Sequence, residues 1–308
     1  MPKETRPRIA VLIPCHNEEA AVARVIADFR HALPQADIHV FDNNSTDGTA
    51  ERARTAGATV WQERRQGKGN VVRRMFAEIE ADVYVMVDGD ATYDAASAPA
   101  MVQLMLDQHL DMVVARRVST EQEAYRAGHR SGNRLLTAAV GYIFGQQLTD
   151  ILSGYRVFSR RFVKSFPASS QGFETETELT IHALQMRLPI AEVDTPYFVR
   201  PAGSVSKLNT WRDGWRILTK ILRLFSLEKP MQFFSIIALG FFLAASILFI
   251  PVLLEYFATG LVPKFPSLIV AVGGYVMMVL SLMVGVILRT TSAGRLEARR
   301  FAYLNVKT

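Results

Sequence analysis

The sequence predicts an α/β domain with a mostly parallel sheet, followed by a hairpin of two membrane-spanning helices. Up to about residue 228, short apolar runs rich in β-branched residues alternate with stretches of helical periodicity. This alternation is typical of strands joined by right-handed helical crossovers. Two apolar segments, 231–254 and 265–288, then follow without a charged side chain. As helices each would be roughly 36 Å long, which exceeds the roughly 30 Å hydrocarbon core of a bilayer.

Nine elements are predicted in the first 115 residues. Short apolar runs with β-branched residues indicate strands, and apolar side chains three or four residues apart indicate helices. The Asp-Asn-Asn-Ser sequence at 42–45 is turn and helix-capping chemistry. In chain order the elements are strand 8–14, helix 18–33, strand 38–41, helix 49–56, strand 59–61, helix 67–80, strand 83–87, helix 98–108 and strand 112–115.

The pattern continues beyond residue 120 with longer helical stretches. A helix is predicted at 125–144, and it leads to a polar segment at 150–156. A short strand at 157–158, a helix at 176–186 and a strand near 196–199 complete the predicted α/β part.

The basic residues flank the predicted hairpin, whereas the connecting stretch has only Glu255 and Lys264. We expect an integral protein of a bacterial-type inner membrane. By the positive-inside rule, both termini and the α/β domain are expected on the cytoplasmic side, and the turn between the two spans is expected outside. The net charge of +6 and the pI of about 9.5 suit an anionic partner, but much of this charge is explained by topology, so no nucleic-acid partner is expected. The flanking residues are Arg212, Arg216, Lys220, Arg223 and Lys229 before the hairpin, and Arg289, Arg295, Arg299, Arg300 and Lys307 after it.

A basic amphipathic helix is predicted directly before the first span. Residues 211–227 carry apolar side chains on one face and basic side chains on another, which favours a helix lying in the headgroup plane over an ordinary surface helix. The predicted domains are therefore an α/β domain at 1–208, this juxtamembrane helix at 209–229, the hairpin at 230–289 and a basic cytoplasmic tail at 290–308. The single Cys15 permits no internal disulfide and fits a reducing compartment. The oligomeric state is left open, a homo-oligomer included.

Polar residues follow several of the predicted strands at the point where each strand ends. Because ligands bind beyond the carboxyl ends of parallel strands, segments 14–18, 67–69 and 88–90 and Asp42 are expected to meet at one edge. Asp88 and Asp90 would suit Mg²⁺ or Mn²⁺, which bind one or two carboxylates plus substrate phosphates. The alternative is that this pair only caps the following turn.

The Gly-Lys-Gly segment at 67–69 lacks the spacing of a P-loop. It could still offer backbone N–H groups and Lys68 to a pyrophosphate. The alternative is a flexible turn.

Taken together, these segments resemble the GT-A glycosyltransferases of family 2. The specific likeness is to polyprenyl-phosphate sugar synthases of the dolichyl-phosphate mannose synthase type, and it runs in the family's order from residue 9 to about 208. The segments that carry it are Ile-Pro-Cys-His-Asn-Glu-Glu at 13–19, Asp-Asn-Asn-Ser-Thr-Asp-Gly-Thr at 42–49, Asp-Gly-Asp at 88–90, Asp-Ile-Leu-Ser-Gly-Tyr-Arg at 150–156 and Arg-Pro-Ala-Gly-Ser-Val-Ser-Lys-Leu at 200–208.

The resemblance implies a GT-A catalytic domain and assigns roles to matching residues. Asp88 and Asp90 would hold the donor diphosphate through the metal, and Asp150 would lie close to the reacting centre. Arg117 would face the lipid phosphate. The remaining matches are Pro14, Asn17, Glu18 and Asp42 for the base and ribose, Arg126 or Arg130 for a second contact to the lipid phosphate, and Arg200 and Lys207 for a loop that closes over the donor.

The sequence departs from the family at two places. Asn43-Asn44 stands where many relatives have Asp-Asp or Asp-Gly, so base contacts are expected to differ. Thr92-Tyr93 replaces a Gln that often follows the Asp-Gly-Asp segment, which puts one metal or phosphate ligand in question. The Gln-x-x-Arg-Trp mark of processive polysaccharide synthases is absent from the sequence.

The function implied is inverting transfer of one sugar from a nucleotide sugar, with UDP favoured, to polyprenyl phosphate at the membrane. A phosphomonoester has a second pKa near 6, so its oxygen is already an anionic nucleophile and needs little general-base help. The site must instead screen two anions from each other, and arginines suit this task because they bind phosphate oxygens bidentately. The rival interpretations are a glycosyltransferase acting on a polysaccharide or glycolipid, and a catalytically dead membrane scaffold.

Overall fold

A computed structural model describes residues 6–118, 137–145, 148–168, 175–199, 219 and 221–306. The chain divides into two compact units. The first comprises Met1–Gly214 together with Ala298–Thr308, and the second comprises Trp215–Glu297.

The first unit is built on a seven-stranded sheet in the described part of the chain, with the order β3-β2-β1-β4-β6-β5-β7. The strands are β1 Ile9–Cys15, β2 Asp37–Asp42, β3 Thr59–Gln62, β4 Val83–Met86, β5 Met112–Val118, β6 Arg156–Ser159 and β7 Ile190–Pro196. The helices are α1 Val22–Ala32, α2 Thr49–Thr55, α3 Lys68–Glu78, α4 Ala98–Asp107, α5 Arg160–Ser165 and α6 Thr175–Met186, with a 3₁₀ turn at Ala95–Ser97 before α4.

The sheet is mostly parallel, as the sequence predicts. Strand β1 pairs in parallel with β2 and β4, β2 with β3, and β5 with β7. Only β6 among these strands runs the other way, antiparallel to both β4 and β5. The carboxyl ends of the six remaining strands therefore lie at one edge, which is where ligands bind in such sheets.

The core forms where the apolar patterns of the sequence place it. Strand β4 is buried along its whole length, and α1 buries the face formed by Val22, Val25, Ile26 and Phe29. The Phe29 ring packs edge-on against Tyr155 at 5.8 Å between centroids. Burying each large apolar side chain contributes roughly 1.5–3 kcal/mol, so this face holds α1 on the sheet.

Helix α1 begins four residues later than its periodicity predicts. Asn17 adopts a left-handed backbone with φ of 56°, and the next two backbone N–H groups bind side chains of a neighbouring loop. Glu18 N donates to Thr49 Oγ1 at 2.9 Å and Glu19 N donates to Asp47 Oδ2 at 3.3 Å. Because these contacts bind the segment to the loop after β2, the helix starts only at Val22.

Strand β7 is the clearest error of the sequence prediction, which placed it near 196–199. It runs instead over Ile190–Pro196 and pairs with β5 along the whole length of both strands. Most of its residues are only half-buried or exposed, so the strand lacks the alternation that would reveal it. The same pairing carries β5 to Val118, beyond the predicted end at residue 115. Of the helix predicted at 125–144, residues 137–144 are described and are helical.

The end of the chain contributes to the first unit. Helix α8, Phe265–Leu304, continues well past the predicted span at 265–288. Near its end the Tyr303 hydroxyl donates to Asp111 Oδ2 at 2.9 Å, and the Arg161 guanidinium lies 5.7 Å from the Tyr303 ring centroid. Arg299 also donates to the Gln185 side chain. These contacts place the end of α8 by the amino end of β5.

A buried histidine in the first unit has a lowered pKa. His182 on α6 is 1% exposed and packs against the Phe162 and Phe166 rings. Burial, with a smaller contribution from nearby Arg299, lowers the pKa of His182 to about 4, and Glu178 opposes the shift. In the unfolded chain the imidazole binds its proton near pH 6.5. The folded state therefore binds fewer protons than the unfolded state between these two values.

We expect the free energy of unfolding to fall as the pH drops from about 6.5 to about 4, by on the order of 3 kcal/mol from this group, and not to fall further from it below that range. His182→Gln should flatten this dependence, whereas His31→Gln, at an exposed position of α1, should not. Denaturant titrations of the detergent-solubilised protein at pH 7 and pH 5 measure the effect. Identical pH dependence in wild type and His182→Gln would contradict it.

The second unit contains helix α7, Pro230–Thr259, and most of α8. Both helices are long and apolar enough to cross a membrane, judged by length and composition. A Cβ built on Gly274 would lie 2.9 Å from the Cβ of Ala245, and the Ser246 and Tyr275 hydroxyls are 3.1 Å apart. Small residues and interhelical hydrogen bonds are how membrane helices pack closely. The other apolar side chains are mostly exposed. The predicted helix at 211–227 falls largely outside the described residues, of which 221–228 are helical.

Candidate active site

The Asp-Gly-Asp segment lies just beyond β4, at the edge where the carboxyl ends of the parallel strands meet. Asp90 is buried, and its Oδ1 accepts from the Thr92 backbone N at 3.2 Å and from Thr92 Oγ1 at 2.6 Å. Asp88 Oδ1 lies 2.5 Å from Lys68 Nζ. The structure thus brings together the predicted diphosphate residues Asp88, Asp90 and Lys68.

Lys68 lies between two carboxylates, because Glu176 at the start of α6 also forms an ion pair with it. Burial by itself lowers the pKa of Lys68, but the charges of Asp88 and Glu176 together raise it above its ordinary value. The ammonium is therefore permanently charged and held beside the Asp-Gly-Asp segment. Glu176 is not recognisable as a site residue from the sequence, because an acidic residue in the first turn of a helix is also ordinary helix-dipole chemistry.

Gly154 gives Asp88 the room it occupies. A Cβ built on Gly154 would lie 2.2 Å from Asp88 Oδ2 and 2.8 Å from its Cγ. The Gly154 backbone N also donates to the Tyr93 hydroxyl at 2.8 Å. The Ser-Gly-Tyr-Arg element therefore lies directly against the first carboxylate of the Asp-Gly-Asp segment.

We expect Gly154→Ala to push the Asp88 carboxylate away from Lys68 and to lower kcat/KM at least about tenfold, while the fold remains. Gly294→Ala is the matched control, because no atom would lie within 4 Å of its new Cβ. Steady-state kinetics and a thermal unfolding curve on both variants measure this. Wild-type kinetics for Gly154→Ala would contradict the prediction, because they would show that activity does not depend on the position of the Asp88 carboxylate beside Gly154.

The predicted base and ribose residues lie around the ends of β1 and β2. Pro14 pairs with Phe41 across the two strands, and Asn17 Oδ1 accepts from the Thr46 backbone N at 2.8 Å. Asp42 is buried, and among the described residues its Oδ1 has no hydrogen-bond partner. A buried carboxylate oxygen without a partner is costly, so it marks a place where a ligand can donate a hydrogen bond.

The Asn43-Asn44 departure from the family serves the neighbouring loop. Asn43 Nδ2 donates to the carbonyls of Glu63 and Arg65 at 3.0 and 2.8 Å, and its Oδ1 accepts from Gly67 N at 2.7 Å. Asn44 Nδ2 donates to the Arg64 carbonyl at 2.6 Å. These two amides fasten the loop that leads to Lys68.

The Thr92-Tyr93 departure also has a structural explanation. Thr92 binds Asp90, as described above, and the buried Tyr93 hydroxyl accepts from Gly154. Burial raises the pKa of Tyr93, which keeps its hydroxyl protonated. Thr92 thus supports the Asp-Gly-Asp segment, and Tyr93 supports the loop that contains Gly154.

Arg117 and Asp150 form a bidentate ion pair, in which two guanidinium nitrogens bind the two carboxylate oxygens. Arg117 Nε lies 2.7 Å from Asp150 Oδ2 and Nη2 lies 2.7 Å from Oδ1, while the Arg117 backbone N donates to Oδ2 at 3.2 Å. The guanidinium also lies 5.5 Å from the Tyr197 ring centroid. Two residues for which the sequence predicts separate roles, one at the acceptor phosphate and one at the reacting centre, are therefore in direct contact.

Arg156 holds the loop that carries Asp150 through hydrogen bonds to the backbone carbonyls of that loop. This fully buried guanidinium donates to the carbonyls of Ser153 and Ile151 at 2.9 and 2.6 Å and to Thr180 Oγ1 at 2.9 Å. Burial lowers the pKa of Arg156 to about 10, although nearby carboxylates, Glu176 foremost, oppose the shift. Four other predicted site residues, Arg126, Arg130, Arg200 and Lys207, lie outside the described residues.

The carboxylates present fit a divalent cation bound together with a substrate. No three His, Cys, Asp or Glu side chains in the described part of the chain come together as an all-protein metal cage. Mg²⁺ and Mn²⁺ do not need such a cage, because they bind through one or two carboxylates plus the phosphates of the substrate. Asp88 and Asp90 at the sheet edge would supply the carboxylates of such a site.

This sheet and its edge define a GT-A glycosyltransferase that uses a nucleotide-sugar donor. Residues 10–166 match the glycosyl transferase family 2 domain, and the chain belongs to that family. Glycosyltransferase AglJ of Haloferax volcanii is 34% identical over 232 residues, which are 75% of this chain and 76% of that protein. The dolichyl-phosphate hexose transferase of the same organism is 27% identical over 72% of this chain and 96% of its own length.

A solved structure supports the same assignment. Glucosyl-3-phosphoglycerate synthase of Mycobacterium tuberculosis, in complex with Mn²⁺, UDP-glucose and phosphoglyceric acid, superposes with a TM-score of 0.58 and 27% identity. The match covers 72% of this chain and 79% of that one. The fold, the family and the enzyme class predicted from the sequence are thereby confirmed.

Proposed function

We propose that this enzyme transfers one sugar from a UDP-sugar to polyprenyl phosphate at the cytoplasmic face of a membrane, with inversion at the anomeric carbon. The observation that carries the proposal is the Arg117–Asp150 pair, which places a guanidinium at the site edge of a chain with two apolar helices of spanning length. A guanidinium is suited to a lipid phosphate because its fork matches two phosphate oxygens. A relative named for transfer to dolichyl phosphate supports the same acceptor class.

The donor side is arranged to stabilise a departing diphosphate. Lys68 brings a fixed positive charge beside Asp88, and Asp88 and Asp90 would hold Mg²⁺ or Mn²⁺, which when bound supplies Lewis-acid neutralisation of the leaving group. The buried Asp42 Oδ1 offers an acceptor to a base or ribose donor group. Uracil carries one N–H that such an oxygen can accept from, and the Mycobacterium structure, which contains UDP-glucose, supports UDP as the nucleotide.

The acceptor side has to position the lipid phosphate, which is already an anion and needs no general base to deprotonate it. The phosphate oxygen of the lipid attacks the anomeric carbon while the bond from that carbon to the diphosphate oxygen breaks, and UDP leaves with the bonding electrons. Arg117 would neutralise the incoming phosphate. Asp150 would orient this guanidinium and face the positive charge that develops on the sugar.

A screen of radiolabelled nucleotide sugars tests the proposal. Membranes containing the enzyme are incubated with polyprenyl phosphate and each labelled donor, and the lipid extract is counted and treated with mild acid. We expect acid-labile label in the lipid fraction from one UDP-sugar. Label that enters a polysaccharide or a glycolipid but never polyprenyl phosphate would assign a different acceptor.

The predicted topology has its own test. A cysteine introduced at Thr259 in a Cys15→Ser background should react with an impermeant maleimide on intact cells, because the turn between the spans is expected outside. A cysteine at Thr308 in the same background should react only after the cells are opened. Labelling of Thr308→Cys on intact cells would overturn the orientation.

A further inference from the structure

The loop that carries Asp150 is gripped by a carboxylate that the site assignments do not include. Glu192 lies on β7, opposite Val114 of β5. Its two oxygens accept from the Thr149 backbone N at 2.9 Å each, its Oε2 accepts from Thr149 Oγ1 at 2.8 Å, and its Oε1 accepts from the Asp150 backbone N at 3.1 Å. One side chain thus binds two successive backbone N–H groups and a hydroxyl.

This grip reaches the acceptor side of the site through a short chain of contacts. Glu192 binds the backbone N of Asp150, and the Asp150 side chain binds one edge of the Arg117 guanidinium through Nε and Nη2. Hydrogen bonds to an ionised group are shorter and about twice as strong as neutral ones. A guanidinium that must meet a phosphate within a few tenths of an ångström depends on such supporting contacts.

The negative charge of Glu192 beside Asp150 is unfavourable unless hydrogen bonds to the Glu192 carboxylate compensate for it. Like charges close together oppose each other, and Glu192 binds the backbone N of Asp150, the residue whose carboxylate pairs with Arg117. The same strand offers a comparison, because Asp194, two residues further along β7, pairs with the exposed Arg116 and has no hydrogen bond to the described loop residues 148–155. The contacts of Glu192 are therefore directed at the loop backbone.

We infer that Glu192 is a positioning residue that holds the Asp150 loop, and through it Arg117, in the geometry for transfer. The inference rests on the proposed function, since it takes the Arg117–Asp150 pair to serve the acceptor phosphate. Glu192 itself touches no reacting atom. Its loss should act on turnover or on the KM for polyprenyl phosphate, and it should leave donor binding near wild type.

Hydrogen exchange of the full chain in detergent tests the grip directly. In Glu192→Ala, the amides of Thr149 and Asp150 should exchange at least about fivefold faster, while β2 is unchanged. Asp194→Asn is the matched control and should leave the 148–155 region as in wild type. Unchanged exchange in Glu192→Ala would overturn the inference. Hydrogen exchange needs no acceptor, so it tests the role of Glu192 independently of activity. If wild type proved inactive on polyprenyl phosphate, the proposed function would be wrong, but the exchange result would still show whether Glu192 holds the loop.

Kinetics then test the consequence. Glu192→Ala should lower kcat/KM for polyprenyl phosphate at least about tenfold, with the Kd for UDP within twofold of wild type by calorimetry, and Asp194→Asn should stay within twofold in all values. In an Asp150→Asn background, Glu192→Ala should cost less than about threefold more, because its effect passes through Asp150. Fully additive losses, or weakened UDP binding in Glu192→Ala, would show a general structural role and contradict positioning.

Discussion

Asp90→Asn is expected to lower turnover by at least about a hundredfold while the protein still folds and inserts. The substitution keeps an oxygen that can accept from Thr92 N and Oγ1, which both bind Oδ1 in the structure. It removes the negative charge that would hold a divalent cation against the donor diphosphate. Metal neutralisation of a leaving group is worth several kcal/mol, and each 1.36 kcal/mol is a factor of ten in rate.

Asp94→Asn is the matched control for this prediction. Asp94 lies four residues further on and caps the following 3₁₀ turn, where Oδ1 accepts from Ala96 N and Oδ2 from Ser97 Oγ. It should retain turnover within a few-fold of wild type. The measurement is initial rate against Mg²⁺ and Mn²⁺ concentration, with excess EDTA as a second arm. Full activity of Asp90→Asn, or of wild type in EDTA, would refute the metal assignment.

Arg117→Lys is expected to raise the KM for polyprenyl phosphate or to lower turnover, by about tenfold or more in kcat/KM, with nucleotide affinity near wild type. Lysine keeps the charge but presents one ammonium where Arg117 presents a two-pronged fork to Asp150. The pair is largely protected from water, with side-chain exposures of 15% for Arg117 and 6% for Asp150. A lost bond in such a place is not replaced by solvent.

The adjacent arginine provides the control. Arg116 pairs with Asp194, and these side chains are 41% and 57% exposed, so the pair is expected to contribute little. Arg116→Lys should therefore leave kinetics unchanged. Calorimetric titration with UDP and a lipid-concentration series separate the two sides of the site. Lost UDP binding with unchanged lipid dependence in Arg117→Lys would move this residue to the donor side.

The local patterns of the sequence were sufficient for most of the fold. Burial on one face of α1 and along all of β4 requires apolar residues at fixed spacing, and that spacing is visible without neighbours. The helices of spanning length are visible for the same reason, since length and composition alone define them. Strand β7 was misplaced because its residues are mostly not buried, so no apolar alternation marks it.

The candidate site was predictable in part. The positions of Asp88, Asp90 and Lys68 follow from strand ends in a parallel sheet, and the structure brings them together. The roles of Asn43 and Tyr93 did not follow, because each binds a loop far along the chain. Their family departures suggested altered ligand contacts, whereas the structure uses both side chains to support the site.

By itself, then, the sequence determined which segments are buried strands and helices, which could span a membrane, and where the acidic and basic residues of a glycosyltransferase lie along the chain. Only the tertiary structure decided which charges meet. Arg117 and Asp150 are 33 residues apart, and Asp150 and Glu192 are 42 apart. Such pairs depend on strand order and register, β5 beside β7 in this sheet, and no local periodicity encodes a contact between residues so distant along the chain.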